Sequence, residues 1–198
     1  MFIVIFEVKP RPEKWDDYLA NAKLLRPDLE RIDGFIDNER FASKRRSGWV
    51  LSLSTWRDEK SVIRWRTFAA HHEIQLKGRE EIFEDYHLRV GEVTADTEVP
   101  AGQALTQQRF DATETGAAAM VTLIEGRDAP AEMADGLVDW DAFESITAPG
   151  KLILVESWKD AGHSPPAGPG RVRQVRVIRD YAMRDRREAP QYYPAPAR

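Results

Sequence analysis

Residues 34–58 read GFIDNERFASKRRSGWVLSLSTWRD, and residues 136–160 read GLVDWDAFESITAPGKLILVESWKD. The second stretch repeats the first 102 positions later, without a gap. Seven of 25 aligned positions are identical: Gly34/Gly136, Asp37/Asp139, Phe41/Phe143, Ser43/Ser145, Gly48/Gly150, Trp56/Trp158 and Asp58/Asp160. Five of the others exchange one apolar residue for another, and Arg57 is matched by Lys159. A period near 100 is too long for solenoid units, which recur every roughly 20–50 residues. The chain therefore reads as a duplicated small α+β domain.

Outward from the first stretch the pattern is βαββαβ over residues 1–93. Phe2 to Val8 is a run of β-branched and aromatic residues ended by Pro10 and Pro12, hence a strand. Trp15, Tyr18, Leu19, Ala22, Leu25, Leu29 and Ile32 then recur at helical spacing, with Pro27 expected to kink or break the helix and Gly34 to stop it. Strands over 35–43 and 49–56 follow, joined by the polar turn 44–47 and Gly48. Asp58 has the chemistry of a helix N-cap, and one helix is expected from Glu59 to Arg79, before a strand over 82–93.

Residues 94–117 read as a linker. The second copy, 118–185, keeps the four strands, with Glu125 standing where Glu7 stands in the first. From Glu7 to Gly34 there are 27 positions, but from Glu125 to Gly136 only 11, so the first helix has shrunk to about one turn at 129–134. The stretch AGHSPPAGPG (161–170), in the place of the second helix, is too rich in Pro and Gly to be one. Tyr86 reads as recurring in Tyr181, since each follows an aspartate. Residues 186–198 are expected to be a semi-extended Pro/Tyr tail, whose Tyr192 and Tyr193 could dock over the second copy or a neighbouring subunit.

An antiparallel sheet has two faces, and an apolar face must be covered. The second copy lacks helices, so the two sheets are expected to pack face to face in one chain, as a barrel-like core. The bare face of the second copy would need a loop, the tail or a second subunit, which leads to the expectation of a homodimer.

Bulk composition bounds the rest. Hydrophobic residues make up 42% and charged residues 31% of the 198, ordinary for a globular protein. With no cysteine, disulfides, thiolate metal sites and a cysteine nucleophile are excluded, and a reducing cytoplasm is the expected location. No signal-peptide pattern and no membrane-spanning apolar run is found. A net charge of −4 argues against nucleic acid, with the basic stretch RVRQVRVIR (171–179) read as a solvated sheet edge. HHEIQ (71–75) lacks the second histidine of a zinc-binding helix, so no metal is expected.

FIVIFEVKP, GFIDNERF running into VLSLSTWRDEKSVIRW, a helix carrying His71-His72, and IFEDYHLRV together resemble the antibiotic-biosynthesis-monooxygenase (ABM)-like family of dimeric α/β barrels. The second copy resembles a degenerate version. The resemblance implies ferredoxin-like repeats in tandem, antiparallel sheets packed into an α/β barrel, and a pocket between a sheet and its two helices. It also implies an oxygenase that needs no bound cofactor. Haem-degrading members carry an asparagine on strand one; here that strand offers Glu7 and Val8 instead.

On a continuous helix Trp65 and His72 lie within about 20° of one direction, so Val62, Trp65, Phe68, Ala69 and His72 form one stripe. His71 points about 100° away, nearer the rim. His72 is the expected proton-transfer group and Trp65 the aromatic wall, with Asn38, Arg40, Phe68, His71 and Tyr86 contacting substrate. The expected substrate is a small aromatic or quinoid compound whose anion passes an electron to O2. The alternatives are a non-catalytic binder of a small hydrophobic ligand or haem, and a structural homodimer whose pocket is filled by its own side chains.

Overall fold

A computed structural model describes residues 1–160 and 169–190. The first copy consists of β1 (Phe2–Pro10), α1 (Trp15–Arg31), β2 (Phe35–Ser43), β3 (Val50–Trp56), α2 (Glu59–Thr67), α3 (Ala69–Lys77) and β4 (Phe83–Asp96). The second supplies β5 (Met120–Glu125), β6 (Leu137–Ser145), β7 (Leu152–Trp158) and β8 (Val172–Ala182). A single turn of 3-10 helix leads into α1, and a π-helical turn, Gly78–Ile82, joins α3 to β4. Among the described residues no helix is long and apolar enough to cross a membrane.

The eight strands close into one antiparallel barrel in the order β1-β3-β2-β6-β7-β5-β8-β4. The halves therefore meet through hydrogen-bonded edges as well as through their inner faces. One seam, β2 to β6, holds only three residue pairs, from Phe41↔Ser145 to Ser43↔Phe143. The other, β4 to β8, runs over nine, from His87↔Ala182 to Asp96↔Arg173. Inside, Ile3, Ile5, Leu51 and Leu53 of the first copy pack on Val121, Leu123, Ile153 and Val155 of the second. An eight-stranded barrel is just wide enough for side chains to fill, so its interior is core rather than pore.

The helices lie outside, on the first copy's half. Asp58 caps α2 as expected, its carboxylate accepting from the Ser61 backbone N–H at 2.8 Å and the Ser61 hydroxyl at 2.7 Å. Pro27 sits inside α1, which continues to Arg31. Two local expectations are corrected. The 59–79 helix is two helices, because Phe68 is extended (φ −63°, ψ 125°) and ends α2. Residues 129–134 form no helix: Pro130 falls in the stretch, and no apolar stripe gives such a turn a face to bury.

The linker is not detached from the barrel. Leu105 packs against the barrel core, and the Glu92 carboxylate accepts from the backbone N–H groups of Gln108 and Arg109. The second copy's outer face is likewise covered within the chain, with Ile124, Ala142, Leu154 and Val172 buried as a cluster. These four residues need no second subunit to bury them, whereas Val138 on the same face of β6 is 46% exposed.

Candidate functional site

Strand register sets the floor of a cavity on the first copy's outer face. Pairing aligns one row, Arg40–Ser52–Phe6–Leu88–Tyr181, across β2, β3, β1, β4 and β8. The next row on the same face is Asn38–Ser54–Val4–Val90–Arg179. All ten side chains line one cavity of about 210 Å³. Its centre is apolar, its β2–β3 side polar, and its far edge comes from β8 of the second copy.

The pairing also corrects the repeat. Glu7 lies opposite His87, whereas the pairing of Ile124 with Val172 carries Glu125 toward Arg171. In this register Arg89 corresponds to Arg173, and Tyr86 to Gly170. Tyr181 is no counterpart of Tyr86; it lies opposite Leu88 and joins the first copy's cavity.

Among the described residues, the second copy has no polar counterpart of Asn38, Arg40 or Ser52. At the repeat offset of 102, Asn38, Arg40 and Ser52 become Trp140, Ala142 and Leu154, members of the buried apolar cluster. A polar floor has become core.

Helices α1, α2 and α3 form the roof. The break at Phe68 resets the helical phase, so the stripe expected to join Trp65 to His72 does not form. His71 instead lies against Trp65, ring centroids 4.1 Å apart and planes 14° apart, and both line the cavity. His72 is exposed and lies outside the lining. Phe68 stacks on Trp65 at 6.0 Å and backs it, also outside the lining.

The His71 Nδ1 lies 2.8 Å from the Trp65 carbonyl oxygen, which can only accept. Nδ1 therefore carries the proton, and Nε2, near the Gln75 amide, keeps its lone pair. Burial pushes the His71 pKa down to about 4, so the ring is neutral at pH 7.

Opposite stands a polar group. Asn38 donates to the Ser52 hydroxyl at 3.1 Å and the Leu53 carbonyl at 3.0 Å, and its Oδ1 accepts from Arg40 Nη1 at 3.1 Å. Asn38 is thus fully engaged in holding Arg40. The buried hydroxyl of Tyr18, on α1, and the Nε of Arg40 make no hydrogen bond. Burial raises the pKa of the Tyr18 phenol, and the neighbouring Arg40 opposes that rise. Buried donors without partners in a cavity wall are what an oxyanion would satisfy.

The Tyr86 hydroxyl accepts from Arg79 and, at 2.6 Å, from Arg186. Tyr18, Arg79, Arg179, Tyr181 and Arg186 were not among the site residues expected from the sequence. Only Tyr18 left a signal, a tyrosine at a core-facing helical position whose hydroxyl needs an outlet. The others depend on a register and a chain return that local pattern does not encode.

At one end of the barrel interior lies a separate ionic network. Glu7 accepts from Arg89 at 2.6 Å and from Arg46, while Arg46 Nε reaches Asp141 at 2.6 Å. Burial opposes ionisation of Glu7, but Arg89 and Arg46 hold its carboxyl below the usual range. This network ties the two copies together rather than facing the cavity.

The sequence profile of the antibiotic biosynthesis monooxygenase family matches residues 1–77. The chain is 48% identical to "Jasmonate monooxygenase ABM" of Pyricularia oryzae, over 98% of this chain and 99% of that protein. Among solved structures, an aldoxime dehydratase in complex with butyraldoxime superposes with a TM-score of 0.55 at 9% identity. That match covers 89% of this chain and 79% of the other, a likeness of fold alone. Profile and full-length relative both support a monooxygenase, and the chain belongs to the antibiotic biosynthesis monooxygenase family.

Proposed function

We propose that this chain is a monooxygenase acting on a small, largely apolar substrate that bears a carbonyl or phenol oxygen, with jasmonate as the model compound. One observation carries the reading: an apolar floor is flanked by a neutral, partly buried imidazole on the roof and by the Tyr18 hydroxyl and Arg40 Nε, neither of which makes a hydrogen bond. The full-length relative named for jasmonate supports it.

The chemistry follows from the groups present. His71 Nε2 takes a proton from carbon or oxygen of the bound substrate, and Arg40 with Tyr18 stabilises the enolate or phenolate oxygen. Trp65 stacks on the imidazole and fixes its plane. Where the attacked carbon is a methylene beside a carbonyl, the balance closes without a bound cofactor: CH2 + O2 gives C=O + H2O. The substrate carbanion supplies the electrons, one oxygen atom enters the product and the other leaves as water. An unactivated C–H bond needs two further electrons from a reductant, so the assay has arms with and without NADPH. A cavity of about 210 Å³ lies below the roughly 300–1,000 Å³ of drug-sized ligand sites and does not fit haem.

The test is oxygen uptake with mass spectrometry under 18O2, using jasmonic acid beside a panel of phenols and hydroquinones. One labelled oxygen atom per product is expected. His71→Ala should cut kcat/KM by roughly 100-fold or more, and His72→Ala should leave it within a few-fold. Turnover that is indifferent to His71→Ala, or lost with His72→Ala, rejects the assignment.

A further inference from the structure

The repeat offset exchanges the pairs Phe41↔Ser145 and Ser43↔Phe143 of the β2–β6 seam, so the copies are related by an approximate twofold. The two ends of the barrel interior can therefore be compared residue by residue. At the first end Arg46 sets one guanidinium between Glu7 of the first copy and Asp141 of the second, with Arg89 on Glu7 at 2.6 Å. The counterparts at the other end are Glu125, Glu39 and Arg173. The turn that carries Arg46 is retraced as well. The Ser43 hydroxyl donates to Asp141 at 2.8 Å and accepts from the Arg46 backbone N–H at 2.8 Å. The Ser145 hydroxyl donates to Glu39 at 2.7 Å and accepts from the Ala148 backbone N–H at 3.0 Å. Ala148 thus stands where Arg46 stands, with no cation to offer.

A cavity of about 440 Å³ opens at this second end, within the roughly 300–1,000 Å³ of small-ligand sites. Lys151 takes over part of the role of Arg46. Its ammonium pairs with Glu39 and lies 5.9 Å from the centre of the Phe41 ring, as Arg46 lies 5.9 Å from that of Phe143. Among the described residues Glu125 has one ion pair, to Arg173 at 3.3 Å, longer than the roughly 2.7–2.9 Å of a strong charge-assisted bond. Charge balance decides the sign of a ligand. Each cation lining the cavity has its own carboxylate: Arg26 has Glu30, Lys151 has Glu39, Arg171 has Asp96 and Arg173 has Glu125. Asp37 and Glu98, exposed at the rim, form no ion pair among the described residues, which leaves the cavity anionic.

We propose that this end of the barrel binds a small organic cation with a guanidinium head, which bridges Glu125 and Glu39 as Arg46 bridges Glu7 and Asp141. Glu7 accepts from two arginines at once, so Arg173 is no bar to a second cation on Glu125. The planar guanidinium fork suits a pair of carboxylates better than a point-charge ammonium does. A second positive group on the ligand would meet Asp37 and Glu98 at the rim. The site is independent of the proposed reaction.

The test is isothermal titration calorimetry of the full chain with agmatine, which carries a guanidinium and an ammonium on one butyl stem. Its acid analogue guanidinobutanoate, with a carboxylate in place of the ammonium, is the control. Wild type should bind one agmatine per chain, roughly tenfold or more tightly than the analogue, and Glu125→Gln should weaken agmatine by a similar factor. Ala148→Arg should supply the guanidinium from the chain itself, abolishing agmatine binding and raising the melting temperature. Ala148 is exposed, so this variant reports even where Glu125→Gln does not fold. A wild type that does not bind agmatine, or an affinity unchanged by Ala148→Arg, overturns the proposal.

Discussion

Replacing His71 by Asn offers a quantitative handle on the roof. In the unfolded chain the imidazole takes a proton near pH 6.5, whereas in the folded protein burial delays protonation to about pH 4. Between those values the unfolded state holds more protons, so stability falls as pH falls through the window and is fully present above it. A displacement from 6.5 to about 4 corresponds to about 3 kcal/mol lost by pH 4. His71→Asn removes the titration while leaving an amide able to donate to the Trp65 carbonyl. Other groups titrate alike in both proteins and cancel in the comparison. Urea unfolding followed by tryptophan fluorescence, in steps from pH 7 to pH 4, should show the wild-type curve falling more steeply by about that amount. The acid limb of kcat/KM should correspondingly lie well below pH 6.5. Parallel stability curves for the two proteins would refute the burial of a neutral imidazole against Trp65.

Three other outcomes follow from the same geometry. Tyr18→Phe should leave the melting temperature unchanged or raise it, because a partnerless buried hydroxyl costs about 1–3 kcal/mol, while cutting kcat/KM at least tenfold. Arg46→Ala should cost roughly 3 kcal/mol in urea unfolding, since it leaves Asp141 without this partner and Glu7 with Arg89. Gly34 and Gly136 both have positive φ, 86° and 89°, so alanine at either should cost about 1 kcal/mol. Only at Gly34 would a Cβ also overlap the Ser61 side chain of α2. Gly34→Ala should therefore be at least twice as costly as Gly136→Ala, and equal losses would remove the packing difference between the copies.

How legible the molecule was depended on the range of the signal. The 34–58 and 136–160 repeat is encoded residue by residue, so the strands in both stretches and the antiparallel barrel could be read directly. Asp58 as an N-cap is equally local. The break at Phe68 was not visible, because VIRWRTFAAHHEIQLK carries neither proline nor glycine and reads as one helix. That break moves the imidazole facing Trp65 from His72 to His71. Asn38 and Arg40 could be placed on one face by strand alternation, and the structure sets both in the floor. Their division of labour, Asn38 holding Arg40, needed the β2–β3 register. Tyr86 and Tyr181 looked like a repeat pair because each follows an aspartate, but spacing within a decayed copy does not fix register. The arginines that charge the far wall arrive through the long β4–β8 seam and the chain beyond it, contacts that no local pattern records.

A crystal structure of the chain with jasmonic acid tests most directly whether a single cavity, floored by both copies, is the working site. The expected result is one ligand per chain lying over Val4 and Phe6, its ring carbonyl within hydrogen-bond reach of Tyr18 or Arg40. A ligand seated elsewhere, or seated on the second copy's outer face around Leu154, would contradict it.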